Sequence, residues 1–191
     1  MISPVVGFPI SQQYGANPDF YAALGYAGHH GIDYACPEGT PVRAAAAGVV
    51  IVAEDVPDST AGCFIHIVHD AHLETRYLHL SGVLVGLWDN VEAGQIIGYS
   101  GNTGLSDGPH LHFEVIDSAQ AQNGYKGRVN PLAFLEQEGN KMQSIIDSLN
   151  KAWALLSEIQ QHPEATQAII DLAEEVKQQC VVEIKKAIGI P

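Results

Sequence analysis

Over the first 135 positions, apolar residues gather in short stretches where polar and apolar side chains alternate. Val49–Ala53, Phe64–Val68, Thr75–Leu80, Gln95–Tyr99 and His110–Ile116 have this texture. Gly39, Gly48, Gly62, Gly82, Gly94, Gly101, Gly104 and Gly108 fall between or beside them. Short β-segments separated by turn formers predict an antiparallel β-sandwich or barrel. Asn130-Pro131 ends that pattern, and beyond residue 138 the period changes. Ile145, Leu149, Ala152, Trp153, Leu156 and Ile159 lie at i, i+4, i+7, i+8, i+11 and i+14, the spacing of one helical face. His162-Pro163 then breaks the chain, with Pro163 suited to the first position of a new helix. Ile169, Leu172, Ala173, Val176, Cys180, Ile184 and Ala187 form a second stripe. The chain is therefore expected to be mainly β. A β-domain over residues 1–137 precedes a C-terminal α-helical hairpin over 138–191. Two stripes of this breadth bury each other only in part. The hairpin either packs on its own β-domain or joins two copies in a homodimer.

Charge narrows the class of partner. The chain holds 9 Lys plus Arg against 22 Asp plus Glu, a formal net charge of −13. Residues 1–138 carry 4 basic and 15 acidic residues, a balance of −11, and the remainder carries 5 and 7, a balance of −2. Phosphate binding needs a surplus of Lys and Arg, so nucleic acid is excluded as a partner. No apolar run reaches the ~18 residues that a membrane span needs. The opening MISPVVGFPISQQYG has no basic residue and meets Pro4, Gly7 and Pro9 at once, unlike a signal peptide. The expectation is a chain made without Sec export, or one whose leader is not part of this sequence. Cys36, Cys63 and Cys180 are scattered, odd in number and form no CxxC pair. Reduced, buried thiols are expected rather than a disulfide framework or a cysteine zinc site.

Histidine supplies the candidate chemistry. The nine His equal the fixed cations in number, and His29, His30, His66, His69, His72, His79, His110 and His112 all fall between positions 29 and 112. Clustered His in an acidic chain points to metal or proton chemistry. Three segments hold the informative residues: His29-His30-Gly31-Ile32-Asp33, Tyr77-Leu78-His79-Leu80 and Gly108-Pro109-His110-Leu111-His112-Phe113-Glu114. His110 and His112 are two apart in a strand-like stretch, so both rings face one way. They offer two metal ligands, or one ligand and one proton-transfer group. Gly31 gives the backbone room to bring His29 and Asp33 inward. A hydrolytic zinc site has three N/O ligands and one open position for water.

These motifs resemble the lysostaphin-type (LytM-like) zinc endopeptidases. His29-x-Gly31-x-Asp33, Pro37-x-Gly39-Thr40-Pro41-Val42-x-Ala44 and Gly48-Val49-Val50 match the family's opening. Tyr77-x-His79-Leu80 is similar to its central histidine motif. Gly94-x-x-Ile97-Gly98, Gly101-Asn102-Thr103-Gly104 and Gly108 to Glu114 are similar to its C-terminal signature. The likeness covers roughly residues 4–135, with the motifs in order. It implies an antiparallel β catalytic domain binding one Zn²⁺ per chain through His29, Asp33 and His112. It implies His79 and His110 as the catalytic histidines, one a general base and then acid, the other helping zinc stabilise the oxyanion. Which ring takes which part stays open.

The resemblance further implies hydrolysis of stem or cross-bridge peptide bonds in bacterial peptidoglycan. A non-catalytic wall-binding or structural component of the same fold is the alternative. The wall would be reached by phage lysis, as part of a virion, or by secretion with a leader absent from this sequence. Asp107 departs from the small hydroxyl residue usual at its place and puts substrate preference there in question. The acidic β-domain would be repelled by anionic teichoic acids, which favours diaminopimelate-type walls. His30 is expected at the exposed cleft rim, His69 as a structural residue and His72 in a solvated loop. Asn17, Tyr26, Thr103 and Ser106 either touch substrate or form turns. Trp88 and Tyr99 are expected in the core.

Overall fold

The computed structural model describes residues 1–56 and 60–135. The helical hairpin expected over 138–191, with His162 and Cys180, lies outside the described residues, as does the boundary after 137. Ten strands and one short helix follow in chain order: β1 (Ile10–Gln12), α1 (Pro18–Ala22), β2 (Ile32–Tyr34), β3 (Pro41–Arg43), β4 (Gly48–Glu54), β5 (Cys63–Val68), β6 (Leu73–Val83), β7 (Asn90–Val91), β8 (Ile96–Ser100), β9 (Leu111–Asp117) and β10 (Arg128–Val129). The strands join in one connected antiparallel sheet with the main order β1-β2-β9-β6-β5-β4-β7. β10 pairs with β9, and β8 bridges β3 and β6. The expected antiparallel β architecture is thus present as a single branched sheet. No described helix is long and apolar enough to cross a membrane.

Alternation explains why these residues form strands. In β5, Cys63, Ile65 and Ile67 are buried while Phe64, His66 and Val68 are only partly so. In β9, Leu111, Phe113 and Val115 enter the core. The intervening His112 and Glu114 are buried on the opposite face. The strand therefore serves the core with one face and the site with the other. Ile32, Val42, Val50, Tyr77, Leu80 and Ile97 complete the centre of the core. Each fully buried side chain of this size contributes ~1.5–3 kcal/mol.

The long strand β6 is the pivot. Leu73 to Leu78 pair with β9, whereas Leu80 to Val83 pair with β8. One edge of β6 therefore changes partner at His79. On its other edge the register with β5 slips there too, from Tyr77↔Ile65 to Leu80↔Cys63. Three steps on β6 oppose two on β5, so β6 carries one extra residue, a β-bulge. His79 holds the left-handed conformation at φ 62° that this demands. The slip also resolves a conflict of parity. Tyr77 and Leu80 are both in the core, three residues apart, which strict alternation forbids.

Two core expectations fail. Trp88 is 67% exposed and Tyr99 is 37% exposed. Trp88 sits at φ 71° in the tight turn before β7, where Asp89 Oδ2 accepts from Gly86 N–H. That turn throws the indole outward. β8 carries an extra residue against β3 between Ile96 and Gly98, which breaks strict alternation, so Ile97 is buried while Tyr99, two residues on, is exposed. Cys36 and Cys63 are free and buried, as expected of reduced thiols.

Candidate active site

Strand register sets the site. In the β2–β9 ladder Asp33 stands directly opposite His112, and in the β6–β9 ladder Leu78 stands opposite His112 and Arg76 opposite Glu114. Cross-strand partners lie close enough for their side chains to interact. His29 comes from the loop that leads into β2. It is held by Nδ1–H donating to Gln13 O at 3.0 Å. Gly31 follows because nothing larger fits. A Cβ there would stand 2.5 Å from Phe113 O and 2.8 Å from His112 Nε2.

Three donor atoms converge. His29 Nε2 lies 2.9 Å from His112 Nδ1 and 3.2 Å from Asp33 Oδ1, and His112 Nδ1 lies 2.8 Å from Asp33 Oδ1. His29 and His112 have their far nitrogens engaged elsewhere, His112 through Nε2–H donating to Glu114 Oε1 at 3.3 Å. Both lone pairs therefore face Asp33 and a common point. Two imidazoles and a carboxylate at this spacing fit a zinc ion, which takes nitrogen and oxygen at ~2.0–2.2 Å. Charge points the same way. Burial works against ionised Asp33, but hydrogen bonds from His112 and His29 overcome it and hold the carboxyl well below its ordinary range. Burial likewise opposes charge on His112, yet the Asp33 and Glu114 carboxylates raise that ring to about 9. Without a metal the trio keeps a proton where the cation would sit.

His79 and His110 flank the trio, their ring centroids 4.8 Å apart. His79 Nδ1–H donates to Thr103 O at 2.8 Å. His110 Nδ1–H donates to Gly108 O at 2.8 Å, with Ser106 Oγ 3.2 Å away. Both Nε2 atoms are thereby left as lone pairs, and that of His110 is 3.8 Å from Asp33 Oδ1. Burial, helped by His112 and His110, lowers His79 to about 4, so it is a neutral base at neutral pH.

All five candidate residues thus meet in one place, although β9 begins at Leu111. His110 precedes the strand and forms a single bridge with Gly101. Thr103 and Ser106 contact the His79 and His110 rings rather than merely turning the chain. Thr103 Oγ1 also donates to Leu80 O and accepts from Cys63 N–H. Asn17 is a backbone element, the left-handed cap of α1. His69 is structural, linking Ala47 O and Thr75 Oγ1 at 2.8 Å each.

The expectation of His30 on an exposed rim is wrong. Its side chain is 14% exposed, with Nε2 3.1 Å from Glu114 Oε1. Its ring stacks on Tyr26 at 4.1 Å and 7°. Tyr26, one of the four candidates for substrate contact, serves that stack. Glu114 is the functional residue that sequence reasoning passed over. It is fully buried and receives His30, His112, Arg76 and Arg128. The signal was its spacing, two residues beyond His112 on the same strand face. His30, His112 and Glu114 also cluster at metal-ligand distances. Two guanidiniums already neutralise that carboxylate, so the second cluster is no cation site.

Comparison with known proteins agrees with this geometry. The sequence profile of Peptidase family M23 matches residues 27–124, a span from just before His29 to beyond Glu114. The peptidoglycan DD-endopeptidase ShyA of Vibrio cholerae is 45% identical over 105 residues, 55% of this chain and 24% of that protein. The first curated relatives are matched over only 20–24% of their own length. The catalytic domain of lysostaphin from Staphylococcus simulans superposes with a TM-score of 0.57 at 32% identity, over 68% of this chain and 93% of that one. A zinc-containing peptidase from Vibrio cholerae superposes at 0.55 and 35% identity, over 67% and 37%. With its profile match spanning half the chain and all five site residues brought together on the shared sheet, the chain belongs to Peptidase family M23, in its lysostaphin-type branch.

Proposed function

We propose that the chain is a zinc-dependent endopeptidase that hydrolyses peptide bonds in bacterial peptidoglycan. The observation that carries this reading is the approach of His29 Nε2, Asp33 Oδ1 and His112 Nδ1 to within 3.2 Å of one another, beside two imidazoles with bare Nε2 atoms. The named activity of ShyA and the zinc content of the second Vibrio cholerae structure support it. Zinc held by the three ligands supplies a water of lowered pKa and a Lewis acid for the scissile carbonyl.

The chain's own residues do the rest. Neutral His79 accepts the proton of the attacking water at Nε2 and returns it to the leaving amine. Its Nδ1–H stays on Thr103 O throughout, so the ring needs no reorientation. His110 keeps Nδ1–H fixed on Gly108 O, and a proton taken from solvent at Nε2 lets it donate to the developing oxyanion and goes back to solvent when product leaves. The assignment follows burial. His79 is the more buried ring, and its burial favours the neutral form that can accept a proton.

Incubation of purified peptidoglycan sacculi with the full chain tests the reading, with mass spectrometry of the released muropeptides. Peptide-bond cleavage products that vanish with a chelator and return on adding one equivalent of zinc are expected. Zinc-loaded protein that binds sacculi but releases nothing would overturn the enzyme and favour a wall-binding component. Sedimentation of the same sample tests for a homodimer.

A further inference from the structure

We infer that His30 and Glu114 are positioning residues for the metal ligand His112, acting as a hydrogen-bonded relay behind the metal centre. The inference rests on the metal reading above and goes beyond it by naming what holds the ligand in place.

Glu114 has its two oxygens divided between two kinds of donor. Oε1 accepts from His112 Nε2–H at 3.3 Å, and His30 Nε2 lies 3.1 Å from the same oxygen. Oε2 accepts from Arg76 Nη1 at 3.3 Å and Arg128 Nε at 3.0 Å. A carboxylate held on both oxygens cannot rotate. Its Oε1 therefore presents a fixed acceptor to His112, which forces the proton onto Nε2 and keeps the Nδ1 lone pair on the ligand side. A carboxylate behind a metal-bound imidazole both orients the ring and raises its basicity.

His30 is the less obvious half. The ring is clamped by Tyr26, with centroids 4.1 Å apart and planes within 7°. Lys126 Nζ lies 4.4 Å from that same tyrosine ring. The clamp fixes His30 with Nε2 on Glu114, and Nδ1 is left buried without a partner among the described residues. A buried imidazole with one nitrogen unpartnered calls for an explanation, and the 3.1 Å approach of the other nitrogen to Glu114 supplies it. Arg76 and Arg128 already neutralise Glu114, so charge balance alone does not call for His30. Its contribution is positional, as a second nitrogen against the oxygen that faces His112.

Two substitutions in the full chain test this. His30→Phe keeps the stack and the volume but removes the donor. His30→Gln restores an N–H that can reach Oε1. The readouts are the zinc dissociation constant, by competition with a chromophoric chelator, and the melting temperature of the metal-free protein. The expected result is ~10- to 100-fold weaker zinc binding for His30→Phe, the range for outer-shell partners of metal ligands. His30→Gln should recover most of that loss, and the metal-free melting temperatures should agree. Equal zinc affinity for His30→Phe and wild type would overturn the inference. So would equal losses in both variants, because the donor would then not be the cause. A lower metal-free melting temperature with unchanged zinc affinity would mark His30 as structural only. Wild type that binds no zinc would instead overturn the metal reading itself. Tyr26→Leu is a second route if His30→Phe does not fold. It frees the His30 ring without burying a new group and is expected to weaken zinc in the same direction.

Discussion

A histidine with one nitrogen anchored on a carbonyl and the other bare is a base that needs no rearrangement to act. His79 has this state through Thr103, and His110 through Gly108. Replacing either by Ala should lower kcat/KM by ~10²–10⁴-fold, the usual worth of a positioned acid or base. Zinc affinity should change little, since neither ring belongs to the converging trio. Steady-state kinetics with parallel zinc titration checks both parts. Protonation also links His112 and His79 to stability. His112 holds its proton more tightly when folded, up to about 9 in the metal-free protein. Its contribution is fully present below the unfolded value of ~6.5 and is lost as pH rises through about 9. His79, lowered to about 4, has the opposite sign and subtracts stability as pH falls below ~6.5. Thermal melts of chelator-treated protein should therefore peak near neutral pH and decline in the alkaline range, and zinc should remove the alkaline decline. Most of the residues that meet here were legible in the sequence, because their motifs resemble those of a known family. Glu114 and His30 were not. Their roles depend on which oxygen meets which donor, and Arg76 and Arg128 reach that carboxylate from other strands.

At the scale of elements, the bulge in β6 is where the backbone accommodates the chemistry. A non-glycine residue in the left-handed region costs ~1–3 kcal/mol. His79→Gly should therefore be more stable than His79→Ala by ~1 kcal/mol, although both lose the base. Denaturant melts of the two variants measure the difference. The long strands were readable, because β4, β5, β6, β8 and β9 each have enough residues to show a period. β1, β2, β3, β7 and β10 have only two or three residues each and no visible period. Their places come from partners far along the chain, as β2 shows by pairing with β9. The bulge was equally hidden, because Tyr77-Leu78-His79-Leu80 reads as plain alternation until the core is seen to take both Tyr77 and Leu80. Trp88 shows the same limit from the other side. Its size suggested burial, and a turn decided otherwise.

For the whole molecule, the proposed function makes the negative charge the term that would govern its approach to a wall. Residues 1–138 carry a balance of −11. Hydrolysis of sacculi bearing anionic polymers should speed up as salt is raised from ~0.01 to ~0.15 M, where the Debye length falls from ~30 to ~8 Å. Sacculi stripped of those polymers should show little change, and turbidity loss on the two substrates compares them directly. A different consequence follows from β9, which turns Leu111, Phe113 and Val115 into the core and His112 and Glu114 into the site. Asp33 and His112 sit in ladders whose alternate residues fill the core, so opening the β2–β9 pairing disturbs both. The strand that carries His112 and Glu114 is also one on which the hydrophobic interior is built, so amide hydrogen exchange along β9 should follow the stability of the core rather than that of the surface loops.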